Sequence, residues 1–245
     1  MKRIRAEKSP YISVVIPAYN EEKYLGDCLA SLAHQTSSVP FEVIVVDNNS
    51  TDNTVSVAKK WGAKVVKQIR QGRPFAREAG ALAAWGKILA FTEADCITPA
   101  TWIEDIYKLM NSDQEIAGIA GSFRFLSPPI WLGLIQPAAS ATDAYINRVK
   151  YGHFVFKGVN FAIKRDIFLQ VRGFKVNHSP MGDISLGIRA GKYGKILYAP
   201  NLVVQTSDRR IRQRLWTYLW NEYFQAQLTL TFKLNNNDSL YDNIR

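Results

Sequence analysis

Short polar segments of this sequence carry carboxylates in places where they could do chemistry. In AFTEADC (90–96), Glu93 and Asp95 stand one residue apart, directly after an apolar run. Carboxylate oxygens are ligands that Mg²⁺ and Mn²⁺ prefer, and a cation held there could neutralise a phosphate-bearing substrate. PAYNEE (17–22) and DNNSTD (47–52) are two further polar segments that follow apolar runs. Each segment alone is also explained as an ordinary turn, because Asn, Asp and Ser are favoured in turns.

Alternating strand and helix patterns place these three segments at one edge of a predicted sheet. Runs rich in β-branched residues predict strands, and apolar residues at i, i+3, i+4 and i+7 predict helices. Strands separated by such helices form a parallel sheet, in which ligands collect beyond the carboxyl ends of the strands. Strands are predicted at 12–16, 41–46, 64–69 and 87–95, and helices at 25–32, from 55 to about 61, at 74–85 and at 103–110.

The second half of the chain is less regular. A strand is predicted at 117–125 and a helix at 185–194, with a proline-interrupted apolar stretch at 127–141 between them. The segment 209–228 begins with four arginines in RRIRQR and continues with aromatic and apolar residues at helical spacing. This segment fits an interfacial helix on an anionic membrane, and equally an amphipathic helix packed on the domain.

Composition narrows the possible functions. The chain has 245 residues, is 47% hydrophobic and carries a net charge of +10, so a folded core and an anionic partner are both expected. Its two cysteines form no CxxC pair, its charged N-terminus is no secretory signal, and no apolar window is long enough for a membrane span. There is no GxGxxG, and GALAAWGKI (80–88) has the wrong spacing for a phosphate-binding P-loop.

Several blocks of the sequence together resemble the family 2 glycosyltransferases, which have the GT-A fold. They are ISVVIPAYNEEKYLGDCLASLAHQT (12–36), FEVIVVDNNSTDNT (41–54), GRPFAREAGALAAWGKILAFTEADCITP (72–99), KGVNFAIKRDIF (157–168) and GFKVNHSPMGDISLGIRAGKYGKILYAP (173–200). The resemblance implies a mixed, mainly parallel α/β sheet flanked by helices. It also implies inverting transfer of a sugar from a UDP- or GDP-linked donor to a saccharide or lipid-linked hydroxyl acceptor.

The resemblance also implies which residues bind the nucleotide sugar. Pro17, Tyr19 and Glu22 would line the nucleotide pocket. Asp47 would contact the base, and Arg77 would lie near the base and the diphosphate.

For the metal, the resemblance points to the end of the fourth strand. Glu93, Ala94 and Asp95 match the family's Asp-x-Asp, with Glu in place of the first Asp. Asp95 is therefore the expected ligand of Mg²⁺ or Mn²⁺, and Glu93 would reach the ribose, or the metal through water. Cys96 is a poor alternative, because hard cations prefer oxygen.

Asp183 is the expected catalytic base, since it matches the Asp of the family's Glu-Asp motif. Gly182 replaces the Glu, so the motif is half present. The residues alone favour a different interpretation, in which Asp183 is the N-cap of a helix that begins near Ile184. Lys157 and Asn160 match a region on the acceptor side.

The resemblance implies one catalytic domain over 1–206, with a nucleotide-sugar half at about 11–116 and an acceptor half at about 117–206, followed by a basic, aromatic helix and tail at 207–245. A cytoplasmic location is expected, at the inner face of the membrane if 209–228 binds lipid, and no nucleic acid is expected. Three alternatives stay open: a sugar-phosphate nucleotidyltransferase, a non-catalytic basic nucleic-acid or membrane-binding module, and a degenerate transferase that binds without transferring.

Overall fold

This computed structural model describes residues 4, 9–174 and 182–209 of the chain, and a sheet of eight strands lies between Ile12 and Thr206. The chain divides into two units, Met1–Thr206 and Ser207–Arg245, and every strand and helix given below belongs to the first. The helix expected over 209–228 lies outside the described residues, apart from Arg209.

The strands and helices alternate through the first half of the chain, as predicted. The strands are β1 (Ile12–Ala18), β2 (Phe41–Asp47), β3 (Lys64–Lys67), β4 (Ile88–Thr92), β5 (Cys96–Ile97), β6 (Ile116–Phe125), β7 (Asn160–Lys164) and β8 (Lys195–Thr206). The helices are α1 (Leu25–Ala33), α2 (Thr54–Trp61), α3 (Arg73–Leu82), α4 (Trp102–Met110), α5 (Ile130–Tyr151), α6 (Arg165–Gln170) and α7 (Gly182–Ala190).

The sheet is mixed and mainly parallel, which confirms the predicted fold class. Its strand order is β3-β2-β1-β4-β7-β6-β8-β5. The parallel pairs are β1 with β2 and β4, β2 with β3, and β6 with β8. The antiparallel pairs are β4 with β7, β6 with β7, and β5 with β8.

One edge of the sheet gathers the polar segments that follow the strands. Ala18 at the end of β1 is in register with Asp47 at the end of β2. Thr92, the last residue of β4, is in register with Asn160, the first residue of the antiparallel β7. The carboxyl ends of β1, β2 and β4 therefore lie beside the amino end of β7, and the three polar segments share this edge as predicted.

Two apolar cores cover the two faces of the sheet, because alternate residues of a strand point to opposite sides. Val14 belongs to the core shared with α1, α2 and α4, and Val15 belongs to the core shared with α3, α6 and α7. The predicted apolar face of α1 is confirmed, since all four of its residues are buried: Leu25, Cys28, Leu29 and Leu32.

The structure differs from the sequence-based expectation in four places, three of them in the second half of the chain. The proline-interrupted stretch at 127–141 is the first part of α5, a 22-residue helix that contains Pro137. The strand expected at 87–95 ends at Thr92, so Glu93 and Asp95 lie in the turn that follows it. The helix expected at 185–194 begins at Gly182, and the twelve-residue β8 that follows it was not predicted.

The glycine of α3 that faces the sheet provides a test of this packing. A Cβ on Gly80 would overlap Val15 and lie 2.8 Å from Val46 Cγ2. We expect Gly80→Ala to lower the free energy of unfolding by about 1–2 kcal/mol, because overpacking outweighs the gain in helix propensity. Gly26→Ala in α1 is the matched control, since a Cβ there meets nothing within 4 Å. Urea unfolding measures both variants, and an equally stable Gly80→Ala protein would contradict the packing.

Candidate functional site

The loops after β1 and β2 are hydrogen-bonded into one wall of the site. The Asn20 side-chain oxygen accepts a hydrogen bond from the Thr51 amide (2.8 Å). The Glu22 carboxylate accepts two, from the amide and the side chain of Asn53 (2.9 and 3.0 Å). Asn20 has a left-handed φ of 54°, which asparagine tolerates better than most residues. Glu22 therefore holds the wall together, whereas Tyr19 is half-exposed beside it.

Asp52 ties this wall to the start of α2. Its carboxylate accepts hydrogen bonds from the amide and hydroxyl of Thr54 (3.0 and 2.5 Å) and from the amide of Glu22 (3.1 Å). Burial by itself would raise the pKa of Asp52, but these hydrogen bonds outweigh burial and hold the pKa below its ordinary value. A charged carboxylate at this helix N-terminus is also favoured by the helix dipole.

Asp47 and Asn48 close the end of β2. Asp47 is buried and accepts a hydrogen bond from the Ser50 amide (3.1 Å), which fixes its carboxylate at the sheet edge near buried Pro17 of β1. The Asn48 side chain donates to the carbonyls of Gln68 and Arg70 (2.7 and 2.8 Å) and accepts from the Gly72 amide (2.7 Å). Asn48 therefore fixes the segment that leads into α3, a role that the turn-like sequence did not reveal.

A buried ion pair links α3 to the turn after β4. The Arg77 guanidinium is paired with the Glu93 carboxylate, and both side chains are less than a tenth exposed. The extra methylene of Glu, compared with the more usual Asp, lengthens the side chain that spans from the β4 turn to α3. Because its Oε1 is bonded to Arg77, Glu93 is neutralised within the protein and is poorly suited to bind a cation directly.

Gly158 is the point where this ion pair meets the second half of the chain. Its amide donates a hydrogen bond to Asp183 Oδ2 (2.5 Å). A Cβ at this position would overlap the Arg77 guanidinium, so only glycine allows Arg77 to lie against the backbone here. Asp183, Gly158, Arg77 and Glu93 thus form one continuous chain of contacts. The sequence offered no signal for Gly158 beyond its place in the KGVN segment.

Asp183 lies in the first turn of α7, which begins at Gly182. The interpretation of Asp183 as an N-cap is wrong, because the residue is inside the helix and its carboxylate accepts a hydrogen bond from another segment. The helix is packed closely against that segment, since a Cβ on Gly187 would lie 2.8 Å from the Phe156 amide nitrogen. This packing fixes the Asp183 backbone relative to Gly158.

A polar clamp from α3 and α7 fixes the turn after α6. The Arg189 guanidinium donates to the carbonyls of Val171 and Gly173, and the Glu78 carboxylate accepts from the Phe174 amide (2.8 Å). Burial lowers the pKa of Arg189 to about 10 and raises the pKa of Glu78. At neutral pH Arg189 keeps its charge, so α7 and its Asp183 are held on the same scaffold as α3.

Asp95 is the second carboxylate of the turn after β4. It is buried, and Thr206 Oγ1 lies 3.5 Å from its Oδ1. Ala94 between the two acids is buried as well. Among the described residues, no three His, Cys, Asp or Glu side chains converge into a metal-binding cluster. The Asp95 carboxylate alone could contribute one oxygen ligand to a hard cation such as Mg²⁺ or Mn²⁺, whose other ligands would be phosphate oxygens and water.

Cys96 does not supply a thiolate to this site. The residue is fully buried, and burial together with the neighbouring Asp95 charge raises the pKa of its thiol to about 12. The thiol is therefore neutral at physiological pH, and only thiolates bind metals well.

Two residues expected on the acceptor side have different surroundings. Asn160 is buried, donates to the carbonyls of Ser122 and Leu202 (2.8 and 2.7 Å) and accepts from Trp102 Nε1 (3.1 Å), so it joins β7 to β6, β8 and α4. Lys157 is ion-paired with Asp143 of α5 and lines a small cavity between α5 and β6.

Comparison with protein families and curated proteins identifies relatives of this chain. Residues 13–172 match the family described as glycosyl transferase family 2. Glycosyltransferase AglE of Haloferax volcanii is 28% identical over 197 residues, which cover 76% of this chain and 62% of that protein. Dolichyl-phosphate beta-glucosyltransferase of Drosophila melanogaster is 41% identical over 128 residues, which cover 45% of this chain and 38% of that protein. The chain thus spans less than two thirds of the length of these relatives.

Solved structures share the fold. The mannosyltransferase from Pyrobaculum calidifontis in complex with GDP-Man and Mn²⁺ superposes with a TM-score of 0.66 at 22% identity, covering 84% of this chain and 61% of that one. Glucosyl-3-phosphoglycerate synthase from Mycobacterium tuberculosis, in complex with Mn²⁺, UDP-glucose and phosphoglyceric acid, gives 0.57 at 21% identity, covering 83% of this chain and 74% of that one. At these identities the likeness shows the fold, which is the GT-A arrangement expected from the sequence.

The buried Arg77–Glu93 ion pair can be tested by its effect on the free energy of unfolding. Glu93→Gln leaves the Arg77 charge buried without its counter-ion, so we expect the free energy of unfolding to fall by about 3–5 kcal/mol. Glu104→Gln is the control, because it removes the partner of a partly exposed ion pair with Lys108 and should cost less than about 1 kcal/mol. Urea unfolding at neutral pH compares the two. Equal losses for both variants would mean that Arg77 does not depend on Glu93.

Proposed function

Since the chain belongs to glycosyl transferase family 2, we propose that it transfers a sugar from a nucleoside-diphosphate sugar to a hydroxyl acceptor, with inversion at the anomeric carbon. One observation carries this proposal. Gly158 contacts both the Asp183 carboxylate and the Arg77 guanidinium. These two groups lie at the edge of the sheet that also carries Asp47 and Asp95. Donor binding and proton abstraction need such groups side by side.

The donor half of the site is assigned to the ends of β1, β2 and β4. The Asp47 carboxylate can accept N–H groups of uracil or guanine, and half-exposed Tyr19 offers an aromatic surface beside Glu22 and Pro17. Arg77, whose charge is balanced by Glu93, would offer its remaining guanidinium N–H groups as hydrogen-bond donors to the base or the diphosphate. The relatives solved with GDP-Man and with UDP-glucose support a UDP- or GDP-linked donor.

Asp95 would hold the divalent metal, Mg²⁺ or Mn²⁺. When bound, such an ion supplies positive charge against the leaving diphosphate. Glu93 is assigned a positioning role instead: it neutralises Arg77 and fixes the guanidinium at the sheet edge.

Asp183 is assigned the role of general base. The Gly158 amide orients its carboxylate through Oδ2, and Oδ1 would take the proton of the acceptor hydroxyl. The acceptor oxygen then forms a bond to the anomeric carbon as the bond from that carbon to the diphosphate oxygen breaks. The nucleoside diphosphate departs from the opposite face, which inverts the anomeric configuration. The acceptor is a saccharide or a lipid-linked hydroxyl compound.

The division of the chain follows from these assignments. Residues 1–206 would form the catalytic domain, with the donor groups within about 11–116 and the base within about 117–206.

If Asp183 is the general base, its replacement should impair sugar transfer but not nucleotide binding. Asp183→Asn should lower the transfer rate by about 10²- to 10⁴-fold, whereas UDP or GDP affinity measured by calorimetry should change less than about twofold, because the amide keeps the shape without accepting a proton. Asp166→Asn is the matched control, an exposed Asp in the first turn of α6. An Asp183→Asn enzyme with wild-type transfer would remove Asp183 as the base.

If Asp95 holds the metal, its replacement should remove the effect of Mn²⁺ on nucleotide affinity. Mn²⁺ should tighten UDP or GDP binding to the wild-type chain by tenfold or more, on the order expected for a charge-assisted diphosphate contact. Asp95→Asn should abolish this tightening and leave the affinity measured in EDTA unchanged. Asp105→Asn in α4 serves as the control. If the Asp95→Asn chain still responded fully to Mn²⁺, the metal would have to lie elsewhere.

A further inference from the structure

The polarity of α5 is the reverse of that of an ordinary surface helix. Its buried positions against the sheet are Gln136, Ser140, Ala144 and Asn147, which lie on one side of the helix. Gln136 donates to the Phe123 carbonyl of β6 (2.6 Å), so a polar contact attaches the helix to the domain. A helix at a protein surface normally buries its apolar stripe and exposes its polar side.

The outward side of α5 is apolar. Besides Tyr145, six large aliphatic or aromatic side chains on it are each more than half exposed: Ile130, Trp131, Leu134, Ile135, Ile146 and Val149. These side chains form two groups, at 130–135 and at 146–149, with the exposed Ala138 and Ala139 between them. Single exposed apolar residues need no explanation, but such groups along one helix indicate a binding surface. We call these six residues the α5 apolar face.

The dimensions and charges of α5 indicate an anionic lipid surface. Its 22 residues extend about 33 Å, yet no helix among the described residues is long and apolar enough to cross a membrane. Its exposed charges are the cations Arg148 and Lys150, because its one acid, Asp143, is paired with Lys157. Phospholipid headgroups complement these cations and the net charge of +10, whereas a second copy of the chain would bring like charges together.

We propose that the α5 apolar face docks this chain on an anionic membrane, with the helix axis parallel to the bilayer surface. The aliphatic side chains enter the boundary between headgroups and acyl chains, Trp131 and the half-exposed Tyr145 lie at the polar boundary, and Arg148 and Lys150 contact the headgroup phosphates.

The inner side of the same helix connects this surface to the proposed site. Asn147 and Ser140 line the cavity that also contains Lys157, the neighbour of Gly158. A docked bilayer would lie about 10 Å from that cavity, one helix diameter away. Resting on the proposed function, this placement favours an acceptor carried by the membrane. The docking itself does not depend on that function.

Vesicle co-sedimentation of the full chain tests the docking. We expect binding to vesicles of phosphatidylcholine with phosphatidylglycerol, and a loss of at least about tenfold in the partition constant for Ile130→Ser/Leu134→Ser, because two aliphatic side chains no longer enter the bilayer. Ile69→Ser/Leu82→Ser is the matched control with exposed side chains away from α5, and should bind as wild type. Arg148→Gln/Lys150→Gln should weaken binding by about fivefold per charge at low salt.

Three results would overturn the proposal. The first is a wild-type chain that does not sediment with anionic vesicles, and the second is an Ile130→Ser/Leu134→Ser chain that binds them as wild type does. The third is a wild-type chain that forms a dimer and does not bind vesicles, while the Ile130→Ser/Leu134→Ser chain is a monomer. Circular dichroism and thermal unfolding verify that each variant is folded. Since none of these measurements uses a sugar donor, their failure is distinguishable from failure of the proposed function.

Discussion

The buried ion pair between Arg77 and Glu93 is the interaction on which the rest of the site depends. Removing two charges from water is expensive, and their attraction compensates only when their geometry is fixed by the surrounding structure. Here α3 supplies the arginine, the turn after β4 supplies the glutamate, and the backbone of Gly158 closes over the guanidinium. The pair therefore requires that α3, β4 and the segment before β7 keep their relative positions. The same requirement brings Asp183 to the sheet edge, because its carboxylate is held by the Gly158 amide.

The ion pair also separates the tasks of neighbouring carboxylates. Glu93 is neutralised within the protein, whereas Asp95, two residues on, lies at the same edge and belongs to the metal in our proposal. The carboxylates of Asp52 and Glu22 accept hydrogen bonds from backbone amides at the start of α2, and that of Asp47 accepts one from the turn after β2. A basic module that only binds polyanions would need none of the buried acids Asp47, Glu93 and Asp95, since surface lysines and arginines suffice for such binding. The arrangement of acids, rather than the net charge, therefore favours an enzyme.

Sequence patterns predicted the first half of the fold well, because strands that are buried on both faces and helices with one apolar stripe follow from local periodicity. The edge that gathers Asp47 and Asp95 followed from the alternation of strands and helices. What the sequence did not predict depends on contacts between distant segments. The Arg77–Glu93 pair joins residues on two elements, Gly158 matters only because Arg77 lies against it, and Asn48 acts through carbonyls some twenty residues away. The helix α5 was missed because its pattern is inverted, with polar residues inside and prolines near its start.

Anomalous diffraction from a crystal of this chain with Mn²⁺ and its nucleoside diphosphate tests the division of roles most directly. We expect one Mn²⁺ peak bonded to an Asp95 oxygen at about 2.1 Å, as for hard cations on carboxylates, with Glu93 still paired to Arg77 and the diphosphate at the carboxyl edge of β1, β2 and β4. A Mn²⁺ ion bonded to Glu93, with Arg77 released from it, would contradict the assignment of Glu93 as the residue that positions Arg77.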